Sequence, residues 1–219
     1  MIPLGRKIIL ASASPRRQQF MHHLGLEVEI IITDIDETPL ADEMPLQLVE
    51  RLAANKAQAT IQRLEDDTPC LIVAADTVVA LEDTILGKPA NPAEATQMLT
   101  RLRDRAHQVY SSVSLLEITP NGVGQQLTRV NTTDVRMRCY SDNEIHAYVA
   151  SGDPMDKAGA YAIQNASFAP VQHLSGCVSG VIGLPLAMLR DMFTEFDVTL
   201  NQPLSPICDL YTNFKCCMG

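Results

Sequence analysis

The chain has 219 residues, 46% of them hydrophobic, and a formal net charge of −9. This length suits one large domain or two small lobes around a buried core. The acidic balance argues against nucleic acids as partners, whereas a small anionic ligand needs only a few local cations and is compatible with it.

The sequence shows no sign of export or of insertion into a membrane. Its six cysteines are irregularly spaced and contain no CxxC pair, so neither a zinc site nor a disulfide framework is expected. The N-terminal residues lack a signal-peptide pattern, and no apolar stretch reaches the ~20 residues that span a bilayer. We therefore expect a cytoplasmic protein with free thiols and no membrane partner.

The first half of the chain alternates strand and helix patterns. Residues 7–12 form a short apolar run that predicts a strand. Ser14 is typical of a helix N-cap and Pro15 of the first helical position, so a helix is expected from there to Leu24. Four further elements follow from periodicity and capping: strands at 27–32 and 71–81, and helices at 45–64 and 91–103.

The second half of the chain adds antiparallel structure. Long strands predicted at 107–118 and 128–140 flank the turn-forming sequence PNGVG, which indicates a hairpin. The sequence SDNE at 141–144 is typical of a capping box and predicts another helix. Residues 183–193 predict the last helix of the chain.

Alternating strands and helices, together with a hairpin, predict the α/β class. We expect a mixed twisted sheet with flanking helices, in one domain at 1–196. The tail at 197–219 is expected to be irregular. Its last residues, CCMG, place Cys216 where a prenylation motif has its cysteine. Glycine is not a usual last residue of such a motif, which favours an unmodified tail.

Polar side chains gather where the first predicted strand meets the first helix: Ser12, Ser14, Arg16 and Arg17. A helix N-terminus presents free N–H groups and a partial positive charge, and hydroxyl and guanidinium groups beside it suit a phosphate. The alternative is an ordinary capped helix with two solvated arginines. Because cations oppose the helix dipole in the first turn, the pattern favours a bound anion.

Acidic residues lie at two candidate positions. The sequence DIDE at 34–37 is either a cation site or a solvated turn. Asp76 lies within an apolar run, where an unpaired charge is costly, so it either binds a metal such as Mg²⁺ or caps a turn. Lys56 borders a core-facing helical stripe and Lys88 follows a strand. Cations and carboxylates at such places suit a metal-bound polyphosphate.

These motifs together resemble the Maf family of nucleotide pyrophosphatases, in family order over about residues 7–195. The stretches that carry the resemblance are LASASPRR (10–17), DE (36–37), NKA (55–57), AADTVV (74–79), GKP (87–89), MLTRLRDRAHQV (98–109), GDPMDKAGAYAIQ (152–164) and VIGLPL (181–186). The resemblance implies an architecture like that of inosine-triphosphate pyrophosphatases, with a cleft between two lobes. It also implies a homodimer that hydrolyses nucleoside triphosphates to the monophosphate and pyrophosphate.

The resemblance also implies roles for individual residues. Asp76 would accept the proton of the attacking water. Glu37 and Asp36 would join Asp76 in holding Mg²⁺ or Mn²⁺. The residues expected to bind phosphates are Ser12, Arg16, Lys56 and Lys88, with Arg17 added for its place at the helix N-terminus. Similarity to the dTTP/UTP subgroup marks the specificity positions as Arg16, Thr77 and Gln164.

Two departures from the family pattern are visible. Asp104 stands where the family usually has glycine, and Asn165, Ala166 and Ser167 replace a glycine-rich stretch after Gln164. The first is expected to alter only a turn. The second is expected to loosen the base pocket.

Two alternatives to the hydrolysis of dTTP and UTP remain open. They are a pyrophosphatase for 7-methyl-GTP or another modified nucleotide, and a non-catalytic nucleotide-binding regulator of cell division.

Overall fold

The computed structural model describes residues 6–66 and 68–215. Its strands are β1 (Lys7–Ala11), β2 (Glu29–Ile30), β3 (Cys70–Leu81), β4 (Thr84–Leu86), β5 (Ala106–Thr119), β6 (Gly122–Met137) and β7 (Val171–Ser175). Its helices are α1 (Pro15–His23), α2 (Pro45–Ile61), α3 (Pro92–Leu102), α4 (Asp142–Ala150), α5 (Val178–Ile182), α6 (Leu186–Thr194) and α7 (Leu204–Asp209). Two short 3₁₀ turns lie between α4 and β7, at Asp153–Asp156 and Ala158–Ala160.

The strands described here form one mixed sheet, in the order β2-β1-β3-β5-β6-β7, with β4 paired to β3. Strand β1 runs parallel to β2 and β3, whereas the pairs β3–β5, β5–β6 and β6–β7 are antiparallel. Because helices flank this sheet, the predicted α/β class with a mixed sheet is confirmed.

Strand β3 contributes to four hydrophobic clusters, and two of them lie on opposite sides of residues 76–77 along the strand. Leu71, Val73 and Ala75 pack in a core with β1, α1 and α6. Val79 and Leu81, further along the same strand, pack in a second core with α3 and α4. The two cores therefore define two lobes that share this strand, and residues 76–77 lie at the junction between them.

The capping signals position the helices as the sequence predicts. Pro15 begins α1 after Ser14, although the Ser14 side chain makes no capping hydrogen bond. The Asn91 side chain accepts a hydrogen bond of 3.0 Å from the Glu94 N–H at the start of α3. Ser141 and Glu144 form the reciprocal capping box of α4. Such caps satisfy N–H groups that the first helical turn leaves without partners.

Two strand predictions differ from the structure. The strand expected at 27–32 consists only of Glu29–Ile30, and both of its residues are exposed, so little burial favours its extension. The second hairpin strand begins at Gly122 instead of 128. The turn closes earlier because the Thr119 hydroxyl donates to the Gly122 carbonyl and accepts from the Asn121 N–H.

The tail prediction is wrong for its middle part. Helix α7 follows α6, so α6 is not the last helix. Leu204, Ile207 and Cys208 of α7 are buried in the core that also holds α1 and α6. A short apolar face that meets an existing core is too brief to show helical periodicity in the sequence. Residues 216–219, including Cys216, lie outside the described part.

Two other observations concern the chain as a whole. Within the described ranges, no helix is long and apolar enough to cross a membrane. Cys70, Cys139 and Cys177 are free thiols, as the irregular cysteine spacing predicts.

We expect the packing of α7 to be measurable as stability. Ile207 is 6% exposed, so Ile207→Ala should lower the free energy of unfolding by about 2–5 kcal/mol through lost burial and a cavity. Leu210 directly follows the same helix and is 65% exposed. Leu210→Ala should therefore change the free energy of unfolding by less than about 0.5 kcal/mol. Urea denaturation measures both. Equal midpoints for the two variants would show that α7 does not pack on the core.

Candidate active site

A cleft of about 750 Å³ opens where β3 passes from one lobe to the other. It is bordered by the turn between β1 and α1, by α2, by the middle of β3 and by the segment that follows the second 3₁₀ turn. Asp36 does not line this cleft. The other site residues predicted from the sequence all do: Ser12, Arg16, Arg17, Glu37, Lys56, Asp76, Thr77, Lys88 and Gln164.

Lys56 bridges two carboxylates in this cleft. Its Nζ lies 2.5 Å from Asp76 Oδ1 and 2.6 Å from Glu37 Oε1. The side chains of Lys56 and Asp76 are 13% and 12% exposed, and that of Glu37 is 55% exposed. Asp76 sits inside β3, opposite Ser112 of β5, so the alternative of an aspartate that caps a turn is wrong.

Helix α2 brings Lys56 to Asp76 because its apolar face packs on the sheet. Val49 and Leu52 on that face contact Val78, two residues beyond Asp76 on β3. Lys56 borders the same face, and its stem can therefore extend along the apolar surface while its ammonium group reaches the carboxylate. An aspartate within a buried strand is tolerated because this cation compensates its charge.

The charge of Glu37 depends on the cations around it. Burial raises the pKa of its carboxyl group, but a hydrogen bond from Lys56 and the charges of Lys56, Lys88 and Arg17 outweigh that effect. The net result is a pKa below the ordinary value for glutamate. Glu37 therefore carries its negative charge at neutral pH, at the mouth of the cleft.

Arg16 and Arg17 are neighbours in the sequence but differ in their surroundings. Arg17 Nε donates to the Gly183 carbonyl at 2.9 Å, and its Nη1 donates to the Ala75 carbonyl at 2.7 Å. It also contacts Ser12 Oγ at 3.3 Å. Burial lowers the pKa of Arg17, against the opposing charge of Asp76. Arg17 thus joins three parts of the cleft wall and is not a solvated side chain.

Arg16 faces the opposite lobe across the cleft. Its Nη1 lies 3.4 Å from Asp156 Oδ2, in a pair whose aspartate is 64% exposed. A long, exposed ion pair of this kind contributes little stability. Arg16 can therefore exchange this partner for an anionic ligand at small cost. Lys88, which follows β4, lines the same cleft and is exposed.

Thr77 and Gln164 line the part of the cleft beyond Asp76. The Thr77 hydroxyl lies 3.0 Å from Ser111 Oγ and 3.3 Å from Arg17 Nη2. Ser111 in turn donates to the Gly180 carbonyl at 2.6 Å. Gln164 is partly buried, and in the part of the chain that the structure describes its amide makes no hydrogen bond. The amide is thus available to a ligand.

Some cleft residues were present in the quoted motifs but were not assigned a role. Lys157 Nζ lies 2.6 Å from Asp156 Oδ1 and 3.1 Å from Asp153 Oδ1, and it lines the cleft. Gly159 has φ +69°, and a Cβ there would lie 2.9 Å from Val79 Cγ1. The sequence MDKAGA, with acid, lysine and glycine in close succession, was the signal that could have identified this wall.

Two of the cleft carboxylates, Glu37 and Asp76, are suitable ligands for a divalent cation. Glu37 and Asp76 each place one carboxylate oxygen on Lys56 Nζ, so the two carboxylates lie close together, and oxygen donors suit Mg²⁺ or Mn²⁺. Asp36 Oδ1 instead accepts a hydrogen bond of 2.9 Å from the Thr38 N–H. Within residues 6–66 and 68–215, no group of three or more histidine, cysteine or acidic residues forms a metal site. The pair fits Mg²⁺, which commonly takes one or two carboxylates plus substrate phosphates and water.

Comparisons with known proteins agree on one family. A model of Maf-like proteins matches residues 7–196. A dTTP/UTP pyrophosphatase of Desulforamulus reducens is 40% identical over 195 residues, which cover 89% of this chain and 99% of that protein. One of Pelotomaculum thermopropionicum is 42% identical over 193 residues, with 87% and 97% coverage. One of Shewanella oneidensis is 42% identical, with 86% and 97% coverage.

Solved structures match more weakly. A nucleoside-triphosphatase / dITP/XTP pyrophosphatase from Mycobacterium abscessus has a TM-score of 0.37 and 19% identity, covering 60% of this chain and 74% of its own. A HAM1 protein from Coxiella burnetii has a TM-score of 0.38 and 20% identity, covering 60% and 73%. Scores this low do not establish a shared fold, so the relationship rests on the sequence matches.

We expect His107, behind the cleft wall, to make stability depend on pH. Its Nε2 lies 2.8 Å from the hydroxyl of Tyr161, a cleft residue, and burial lowers the pKa of His107 to about 4. The unfolded chain, with a pKa of about 6.5, binds the proton first. The folded state should therefore lose stability as pH falls from about 6.5 to about 4, by at most about 3 kcal/mol.

His107→Gln removes the titration and keeps a polar partner for Tyr161. Its stability should fall less between pH 7 and pH 4 than that of the wild type, as measured by urea denaturation. His146→Gln, at an exposed position of α4, is the matched control for the exchange of a histidine for glutamine. If the free energy of unfolding changes with pH in the same way for the wild type and His107→Gln, His107 is not the source of the pH dependence.

Proposed function

Because this chain belongs to the Maf family, we propose that it hydrolyses nucleoside triphosphates to the monophosphate and pyrophosphate, with dTTP and UTP as its best substrates. The observation that carries this proposal is the cluster of Asp76, Lys56 and Glu37 in a cleft whose mouth also presents Arg16 and Lys88. The names of its relatives support the choice of substrate. The cellular role that follows is control of the nucleotide pool.

The cations of the cleft bind the triphosphate. Arg16 leaves its exposed partner Asp156 and offers a bidentate guanidinium group to phosphate oxygens. Lys88 adds a point charge. Ser12, at the start of the turn into α1, adds a hydroxyl group. Arg17 makes four hydrogen bonds within the protein, so it supports Ser12 and the cleft wall and adds positive charge without leaving its place.

Asp76 accepts the proton of the attacking water. The water oxygen forms a bond to the α- or the β-phosphorus, and the bond from that same phosphorus to the oxygen that bridges the two breaks, releasing the monophosphate and pyrophosphate. Lys56 orients the Asp76 carboxylate and supplies positive charge next to the reacting phosphate. Glu37 and Asp76 would hold Mg²⁺ or Mn²⁺, and a bound cation would supply charge neutralisation for the phosphoryl oxygens. Asp36 shapes the loop that carries Glu37.

Gln164 reads the base. Its amide offers both a donor and an acceptor, and a uracil or thymine edge presents an N–H group between two carbonyls. A site that forms such hydrogen bonds rejects analogues that would leave its polar groups unpaired. Thr77 and Arg16 border the same region, in agreement with their proposed part in specificity.

The remaining expectations stay predictions. They are a homodimer in the cytoplasm, without nucleic-acid or membrane partners, and a domain at 1–196, to whose core α7 adds its buried face. A non-catalytic nucleotide-binding regulator is disfavoured because acid, cation and phosphate-binding groups meet in one cleft. A preference for 7-methyl-GTP is an outcome of the substrate screen below.

The first test removes the proton acceptor. Asp76→Asn should lower kcat for dTTP and UTP at least about 10²-fold, because the amide neither accepts a proton nor carries charge. Asp83→Asn is the matched control, at an exposed position just beyond β3, and should retain activity. Pyrophosphate release with Mg²⁺ or Mn²⁺ is measured, and circular dichroism checks folding. A folded Asp76→Asn variant with near-normal turnover would refute the role of Asp76 as proton acceptor. Full activity after exhaustive chelation would refute the requirement for a divalent cation.

The second test concerns the base. In a screen of common triphosphates and 7-methyl-GTP, dTTP and UTP should have the highest kcat/KM. Gln164→Ala should narrow their advantage by about 1–3 kcal/mol, the usual effect of an unpaired polar group. Gln125→Ala, exposed on β6, should leave the ranking unchanged. If 7-methyl-GTP is hydrolysed best, or if Gln164→Ala keeps the ranking, Gln164 does not read the base.

A further inference from the structure

The Gln164 side chain is not held by any hydrogen bond of its own. Within the described residues its amide has no partner in the protein, and the side chain is only partly buried. A side chain that must meet a flat base edge at hydrogen-bond distance has to be held by its backbone instead. The contacts of the residues on either side of Gln164 therefore decide how well it can discriminate.

Asn165 uses both ends of its amide to fix this backbone. Its Nδ2 donates to Asp153 Oδ2 at 3.1 Å, and its Oδ1 accepts from the Phe168 N–H at 2.8 Å. Its carbonyl accepts from the Ala169 N–H at 2.8 Å. The side chain thus connects the segment to the first 3₁₀ turn and also closes the loop that follows.

The acceptor of this contact is itself fixed. Tyr148 donates its hydroxyl hydrogen to Asp153 Oδ2 at 2.7 Å, and Lys157 Nζ lies 3.1 Å from Asp153 Oδ1. Burial raises the pKa of Asp153, but hydrogen bonds from Tyr148, Lys157 and Asn165 outweigh it, so the pKa lies below its usual value. Asp153 is therefore an ionised, anchored acceptor, and hydrogen bonds to a charged acceptor are the stronger kind.

The same tyrosine also holds the other side of Gln164. The Tyr148 hydroxyl accepts from the Ala162 N–H at 3.0 Å, two residues before Gln164. The Tyr148 ring stacks on Phe168, with centroids 4.3 Å apart and planes at 13°. Contacts from Tyr148, Asp153 and Asn165 therefore enclose the Gln164 backbone from both directions.

We propose that Asn165 is a positioning residue that aims Gln164 at the base of the substrate. The inference rests on the base-reading role of Gln164 in the proposed function and deepens it. A glycine at this position could not connect the segment to Asp153 or cap the Phe168 N–H. The substitution of Asn165, Ala166 and Ser167 for a glycine-rich stretch therefore tightens the pocket, in contrast to the loosening expected from the sequence.

The test compares kcat/KM for two substrates as a ratio, because a merely structural role of Asn165 would lower the activities toward both substrates together. UTP and CTP differ at two neighbouring positions of the base edge. The carbonyl group of uracil is an amino group in cytosine, and the ring N–H donor of uracil is a ring nitrogen acceptor in cytosine. Asn165→Ala should lower the ratio of kcat/KM for UTP over CTP by about tenfold, the loss expected when a reading group is misaligned. Ser167→Ala, exposed in the same loop, should leave the ratio unchanged.

Two more variants make the outcome unambiguous. Asn165→Ser, which is less disruptive if Asn165→Ala does not fold, can still cap the Phe168 N–H but does not reach Asp153, and should give an intermediate ratio. In a Gln164→Ala background, Asn165→Ala should have no further effect on the ratio. An unchanged ratio in the folded Asn165 variants, where Gln164→Ala does lower it, would overturn the inference and leave the base-reading role intact. An unchanged ratio in Gln164→Ala would overturn both, and absence of hydrolysis by the wild type would overturn the proposed function itself.

Discussion

The ion pair between Lys56 and Asp76 is the contact on which the site depends. Asp76 lies within a strand whose flanking residues are buried in two cores, so its carboxylate cannot be left without a partner. Removing the cation from such a pair typically costs about 3–5 kcal/mol, because a buried charge remains uncompensated. The packing of α2 on β3 is therefore coupled to the chemistry, because the helix that covers the sheet also delivers the cation that pairs with the buried carboxylate.

The cations of the cleft divide into fixed and available ones. Arg17 joins the Ala75 and Gly183 carbonyls, so it ties the middle of β3 to the turn before α6. Arg16 has one long, exposed contact to Asp156. A site that binds a flexible polyphosphate needs both kinds, because a rigid wall sets the position of the reacting phosphorus while adaptable side chains accept the remaining charges.

Much of this architecture follows from local signals in the sequence, and the site residues are less accessible to such reasoning. Pro15 and Asn91 mark helix starts through their own backbone and side-chain chemistry, which needs no tertiary context. The unlike surroundings of Arg16 and Arg17 are not readable in this way, because neighbouring residues on a helix point about 100° apart and only the packed lobes decide which one is enclosed. Helix α7 was missed for a related reason, since Ile207 is buried by residues far away in the chain.

The two departures from the family pattern have different physical consequences. Asp104 has φ +54°, a left-handed conformation that glycine adopts freely and that aspartate tolerates better than most residues. Its ion pair with Arg136, at 2.7 Å, and the hydrogen bond from its N–H to the Arg138 carbonyl, at 3.2 Å, help to offset the strain. Asp104 therefore adopts a backbone conformation that glycine would adopt without strain. Asn165 instead forms side-chain contacts that glycine cannot form. One replacement therefore preserves a backbone conformation, and the other adds a constraint beside the residue proposed to read the base.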